Sequence, residues 1–262
     1  MSDVARKLDE LCVWSAHRPG PTASGHSLKQ PATPSLAEVL GGGPARVGCL
    51  TYWRVETPFS AVPIRPVFDW NLLTARLCCR NDRRAVQIDP ARTVILDIET
   101  GGLAAMPVFL IGVILPDRQP PAVLQFLARD YPEEAAILHA LAELTAPRDT
   151  WVTFNGKSFD EPYLRDRARL HHVALPVPHT HVDLLHLARR AWRSLVPDCR
   201  LVTLEQYILK RPRVGDVPSR EVPELFHHFM RTGQALPLRP VLEHNRIDLI
   251  SCAELLLRLT AS

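Results

Sequence analysis

The sequence predicts an α/β domain with a mixed central β-sheet flanked by helices. Three observations carry this. "ARTVILDIE" (91–99) is a near-continuous apolar run of strand length, as expected for a strand buried on both faces. "PVFLIGVIL" and "PAVLQFLA" follow it, split only by "PDRQP", so the three strands suit an antiparallel meander. From residue 130 onward, helical and strand patterns alternate, the order of an α/β fold.

Taken in order, residues 1–45 form a loose N-terminal extension. "HRPGPTASGHSLKQPATPS" and "GGGPAR" are rich in Pro, Gly, Ser and Thr without a periodic apolar face. Val4–Trp14 suits either a short amphipathic helix or a frayed tail. Residues 46–92 read as a β-rich lead-in packed on the main domain, because "VGCLTYWRVETPF" mixes β-branched and aromatic residues. "WNLLTARLC" is open between strand and short helix. Residues 93–262 form the main domain. After its meander, "DYPEEAAILHALAELTAP" is a helix. Asp130 caps it, Pro132 and two acids open it, Ile137, Leu138, Leu141 and Leu144 face the core, and Pro147 ends it. "TWVTFNG" is a buried strand, "SFDEPYLRDRARLHH" a helix and "THVDL" a short strand. Helices "LLHLARRAWR", "ELFHHFMRTG" and "RPVLEHNRIDLISCAELLLRLTA" complete the chain, with "LVTLEQYILK" and the Pro-rich "RPRVGDVPSREVP" between the first two.

At 262 residues and 46% hydrophobic content the chain can bury a full core. A net charge of +3 is too small to argue for nucleic acid unaided. Cys12, Cys49, Cys78, Cys79, Cys199 and Cys252 form no C-x-x-C pair, which argues for reduced thiols in a cytoplasmic protein and against structural zinc. No apolar run reaches the length of a membrane span, and the N-terminus lacks a signal-peptide layout.

Chemistry concentrates in three segments. Asp97 and Glu99 close the apolar strand and point to the same face, at the strand end where open α/β sheets place ligands. Gly101 and Gly102 then allow a tight turn. Asp160 follows the second buried strand and opens a helix. It suits an ordinary N-cap equally well, although Asn155, Gly156 and Lys157 add polar groups at the same edge. His244 and Asp248, four apart on a largely apolar helix, share one face; a His–Asp pair facing water is the alternative. If Asp97, Glu99, Asp160 and Asp248 converge, repulsion must be relieved by counter-charge, and Mg²⁺ or Mn²⁺ suits an all-carboxylate set. Two such ions would clamp the attacking and leaving oxygens of a phosphodiester, with His244 taking a proton from water as general base.

"DIETGGL" (97–103), "FNGKSFDEPYL" (154–164) and "HNRID" (244–248) together resemble the DEDD, or DnaQ-like, exonuclease superfamily. "NGKSFDEPYL", "HVDLLHLARR", "EVPELFHHFMRTG" and "VLEHNRIDLISCAELL" resemble its YprB-type ribonuclease H-like family, over roughly residues 93–260. The resemblance implies a ribonuclease H-like fold and 3′–5′ exonuclease activity. It implies metal-binding carboxylates at Asp97, Glu99, Asp160 and Asp248, a general base at His244 and a polar residue at Asn155. Two departures stand out. The base and last Asp are four apart with a His, where His-based relatives usually space them five apart. "ETGGL" replaces the common "ETTGL", which removes one hydroxyl.

The expected partner is DNA or RNA, entered from a single-stranded 3′ end, with protein partners unspecified. Between residues 189 and 213, Arg189, Arg190, Arg193, Arg200, Lys210, Arg211 and Arg213 face only Asp198 and Glu205. That excess suits either a phosphate track or a solvated helix face. Lys157 is a further phosphate candidate, and Asp183 is either a support for the site or the cap of the next helix. A catalytically weak nucleic-acid-binding module of the same fold is the competing expectation.

Overall fold

The computed structural model describes residues 34–62, 69–74, 77–81, 84–102 and 105–260. The helix expected near Val4–Trp14, and residues 1–33 of the expected extension, lie outside the described residues. The remainder of that stretch holds regular structure. Helix α1 (Leu36–Leu40) starts at Ser35, whose side chain and that of Glu38 form a reciprocal capping box. Strand β1 (Gly43–Val47) follows and pairs antiparallel with β2 (Leu50–Pro58). "WNLLTARLC" divides: Trp70–Thr74 forms a 3-10 turn, and β3 (Leu77–Asn81) pairs with β4 (Arg84–Ile88) as a separate two-stranded sheet.

Strands β5 (Thr93–Thr100), β6 (Val108–Ile114) and β7 (Ala122–Leu127) form the expected antiparallel meander. Asp130 then accepts from the Glu133 amide and caps a 3-10 turn, after which α2 (Glu134–Thr145) runs. Next come β8 (Thr150–Thr153), α3 (Asp160–Leu170), β9 (Thr180–Asp183), α4 (Leu184–Trp192) and α5 (Leu201–Tyr207). Helices α6 (Val222–Thr232) and α7 (Arg239–Thr260) end the described chain.

The main sheet has the order β1-β2-β7-β6-β5-β8-β9, with β5–β8 and β8–β9 parallel and the other pairs antiparallel. It is therefore mixed and flanked by helices, as the sequence predicts. Pairing of β2 with β7 makes β1 and β2 an extension of this same sheet.

Alternation along the strands assigns each face its cover. Val94, Leu96, Phe109, Val113 and Trp151 pack with α2, α3 and α6, where Phe226 stacks on Phe109 at a centroid distance of 4.0 Å. Ile95, Ile114, Val152 and Val182 pack with α4, α5 and the C-terminal part of α7. Helix α7 comes close because β6 carries Gly112 at the crossing. A Cβ there would stand 2.2 Å from Asn245 Oδ1 and 2.6 Å from Leu249 Cδ1. Among the described residues, no helix is long and apolar enough to cross a membrane.

The register also creates the site. Parallel pairing of β5 with β8 stops at Ile95↔Val152, while β5 continues to Thr100. The last residues of β5 therefore have an open edge towards the N-terminus of α3.

Candidate active site

Asp97 and Glu99 lie on that final stretch of β5, on the face crossed by α7. Asp97 is held from behind. Asn245 of α7 donates to its Oδ2 at 2.8 Å and to its backbone oxygen at 3.3 Å. The Asn245 oxygen in turn accepts from Gln125 of β7 at 2.8 Å, and Gln125 also reaches the Leu242 carbonyl. Neither Asn245 nor Gln125 has measurable exposure, so this chain fixes Asp97 from inside the core.

Asp160, 4% exposed, stands at the first position of α3, at the open edge of β5, where the nearby Ile98 amide favours its ionised form. The turn before it is built on Asp183. That buried carboxylate accepts from the amides of Asn155 (2.9 Å), Lys157 (3.2 Å) and Leu185 (3.0 Å). Asp183 thus serves both expected roles, capping α4 and anchoring the turn. Asn155 takes the left-handed conformation (φ 64°), which Asn tolerates better than most residues. Gly156 has no room for a side chain, since a Cβ would meet Thr153 Oγ1 at 2.3 Å.

His244 and Asp248 project from α7 towards the same place; Nε2 of the ring lies 3.8 Å from Asp248 Oδ2. The four carboxylates feel one another. Burial pushes Asp97 well above the usual carboxylate range, and the charges of Asp248, Asp160 and Glu99 push it further. Glu99 is pushed up to about 8 by burial, with relief from His244 and further pressure from Asp248, Asp160 and Asp216. Burial likewise raises Asp160 to about 7 against the relief of its own amide and that of Ile98. Asp248 is also raised by burial, although Arg213 and His244 pull it back. For His244 burial works the other way, yet the bond to Asp216 and the charges of Asp248 and Glu99 raise it overall.

Such a set of carboxylate oxygens, buried at Asp160 and half-buried at Asp97, Glu99 and Asp248, is the donor chemistry that divalent cations take, and a bound cation lowers proton affinities of the kind raised here. Among the described residues, no three His, Cys, Asp or Glu side chains already enclose one point as a finished cage. Asp97 is tied to Asn245 and Asp248 to Arg213. An all-oxygen donor set suits a divalent cation, and these side chains would have to turn to close on one.

Two residues here, Asp216 and Asn245, are not singled out by the sequence, and two arginines serve neither as the phosphate track nor as the solvated face that their sequence suits. Arg213 is 9% exposed and bonded to Glu205, Asp216 and Asp248. Arg211 likewise pairs inward, with Glu254 and Ser251. Asp216, from the Pro-rich loop, accepts from His244 Nδ1 at 2.8 Å. Asn245 sits inside the quoted "HNRID" segment without having been singled out. A polar residue on the apolar side of a helix was the only available signal. Of the remaining candidates, Arg189 and Arg190 are exposed in the last turn of α4, and Arg200 is exposed beside Asp198, 3.7 Å away. Lys157 is half-buried at the turn before Asp160. His171, at the end of α3, bonds the buried Glu134 at 2.7 Å.

The loop after "DIETGG" is clamped to α3. Tyr163 donates to the Met106 carbonyl at 2.6 Å and Arg167 to the Ala105 carbonyl at 2.9 Å, while Glu134 binds both Arg167 and the Val108 amide. The first and second motifs are thereby mechanically joined.

A sequence model described as the RNase_H superfamily matches residues 94–260, nearly two thirds of the chain. The chain belongs to the RNase H superfamily. Its match to the uncharacterized protein YprB of Bacillus subtilis (strain 168) is 34% identical over 170 residues. That covers 63% of this chain and 41% of the relative, so the chain spans under half of that protein's length. Among solved structures, the family B DNA polymerase from the hyperthermophilic archaeon Pyrobaculum calidifontis superposes with a TM-score of 0.53 at 17% identity. The match covers 67% of this chain and 25% of the polymerase, a likeness of fold alone.

Proposed function

We propose that this protein is a metal-dependent 3′–5′ exonuclease of the DEDD type, hydrolysing phosphodiester bonds of DNA or RNA from a single-stranded 3′ end in the cytoplasm. One observation carries the reading. Three segments far apart in sequence bring four carboxylates and a histidine to the open end of β5, with their proton affinities raised by shared burial and charge.

Asp97, Glu99, Asp160 and Asp248 would hold two Mg²⁺ or Mn²⁺ ions, which supply charge neutralisation and polarise the phosphodiester. Asn245 keeps Asp97 in place, and the Asp183-anchored turn keeps Asp160 at the edge of β5. His244 offers Nε2 to accept the proton of the attacking water, because Nδ1 is already engaged by Asp216. Lys157, with the exposed Arg189, Arg190 and Arg200, would contact backbone phosphates, and Asn155 presents a polar side chain at the same rim. A separate cavity of about 480 Å³ is lined by Lys210, Arg211, Arg213, Asp216 and Arg246, and by none of the four carboxylates.

A second reading, a catalytically weak nucleic-acid-binding module, draws on the Arg213–Asp248 pair, which occupies one oxygen of a proposed ligand. The deciding experiment incubates the protein with end-labelled single- and double-stranded DNA and RNA, with Mn²⁺ or with EDTA. A ladder shrinking from the 3′ end only with Mn²⁺ supports the exonuclease. Retention of strands without shortening supports the binding module.

A further inference from the structure

The loop between α5 and α6 has no helix or strand from residue 208 to 221, yet it is pinned over the His244–Asp248 face of α7 by one guanidinium. Arg213 Nη2 donates to Glu205 Oε1 at 2.7 Å, and Nε donates to the other Glu205 oxygen. That two-pronged pair alone satisfies a buried arginine and a buried glutamate. The guanidinium nevertheless goes further. Nη2 also bonds Asp248, and Nη1 donates to Asp216 Oδ2 at 2.8 Å and stands 3.4 Å from His244 Nδ1. Glu205 is itself fixed by Ser251 of α7.

The extra contacts have a geometric consequence. Asp216 is locked by Arg213 so that both its oxygens lie 2.8–2.9 Å from His244 Nδ1. An ionised carboxylate only accepts, so Nδ1 must carry the hydrogen, and the lone pair of the neutral ring falls on Nε2. Nε2 points the other way, between Asp248 Oδ2 at 3.8 Å and Ser219 Oγ at 3.4 Å. A salt bridge that served only to hold the loop would need no oxygen of Asp216 on the imidazole.

We propose that Asp216 is a positioning residue: fixed by Arg213, it selects the Nδ1–H form of His244 and turns Nε2 towards the carboxylate cluster. This rests on the nuclease reading, because Nε2 is there the proton acceptor.

Asp216→Asn tests it. The asparagine oxygen can still accept from Arg213, which leaves its amide facing Nδ1 and favours the opposite tautomer, a change that disables a histidine base without moving it. Two readouts are taken. On labelled single strands with Mn²⁺, kcat is expected to fall about 10- to 100-fold, with KM and Mn²⁺ affinity unchanged within about twofold. In metal-free protein at a pH where the ring is neutral, ¹⁵N spectra of His244 are expected to show Nδ1–H in the wild type and Nε2–H in the variant. Wild-type kcat in the variant, or the same tautomer in both proteins, overturns the proposal. If the wild type degrades no strand, the nuclease reading fails and the spectra alone decide whether Asp216 sets the tautomer. Should Asp216→Asn not fold, Asp216→Glu keeps the charge opposite Arg213 and displaces it from the ring. Lowered kcat at an unchanged melting temperature then supports positioning, and wild-type kcat overturns it.

Discussion

Asn245 donates to both the side chain and the backbone oxygen of Asp97, across the β5–α7 interface, at 2.8 and 3.3 Å. The bond is possible only because Gly112, the partner of Asp97 in the β5–β6 register, leaves space for the amide. Asn245→Leu removes one of the two acceptors of the Gln125 amide, which keeps the Leu242 carbonyl, and the side-chain donor to Asp97. It should destabilise the fold by about 1–3 kcal/mol, the cost of leaving a buried polar group unsatisfied. The midpoint of urea unfolding measures this; an unchanged midpoint would show that the chain of amides contributes nothing.

The same crossing predicts the result of Gly112→Ala. Its Cβ would fall 2.2 Å from Asn245 Oδ1 and 2.6 Å from Leu249 Cδ1, both on a helix that packs along the sheet. Both neighbours are fully buried, and Asn245 is held by its bonds to Asp97 and Gln125. The expected loss is about 2–3 kcal/mol, the upper range for overpacking a filled core, read as a lowered melting temperature and a weakened Mn²⁺-dependent thermal shift.

Neutralising two of the carboxylates should have opposite effects on the metal-free protein. Asp97 has a bond from Asn245 and no cationic side chain bonded to it among the described residues, while three carboxylates repel it. The buried Asp97 carboxyl therefore favours its neutral form, which an amide mimics, so Asp97→Asn should leave metal-free stability unchanged at low pH and raise it at high pH, where the wild-type group must ionise against its neighbours. Asp248 is a partner of Arg213, so Asp248→Asn takes one carboxylate from a buried guanidinium and should lower stability. Both should abolish Mn²⁺-dependent degradation. A wild-type rate in either variant would remove that residue from the metal set.

Much of this was legible in the sequence. Strand β5, the β5–β6–β7 meander and helices α2, α3 and α7 are written in apolar runs, turn residues and caps, which are local signals. Asp97, Glu99 and Asp160 are placed by strand-end and helix-start signals, whereas Asp248 lies in the middle of α7, so its meeting with them was only a condition of the sequence reading. What stayed hidden was pairing across distance. Arg211 and Arg213 look like surface charge in "RPRVGD", and only the fold of the 208–221 loop shows that they answer Glu254, Glu205 and Asp248. Asp216 and Asn245 act through partners 28 and 148 residues away, a separation on which periodicity is silent. The attachment of β1 and β2 to β7 was hidden for the same reason, since register between distant strands leaves no local mark.

The pH dependence of stability follows from the raised carboxylates. Glu99 at about 8 and Asp160 at about 7 hold protons in the folded, metal-free protein, where their unfolded counterparts near pH 4 have released them. Between those limits the folded state binds more protons than the unfolded one, so the slope of unfolding free energy against pH is negative. The contribution of these groups is fully present below about pH 4 and is lost as pH rises through 7 and 8. In EDTA, the melting temperature should therefore fall from pH 6 to pH 8.5. Saturating Mg²⁺ or Mn²⁺ competes with those protons, so the ion should bind more tightly as pH rises and flatten or reverse the decline. Glu99→Gln should flatten the EDTA curve, because a neutral amide has no proton to lose. A metal-free melting temperature that rises over this interval, or a Glu99→Gln curve parallel to the wild type, would show that the cluster is ionised without help, and the case for a metal counter-charge would lose its electrostatic basis.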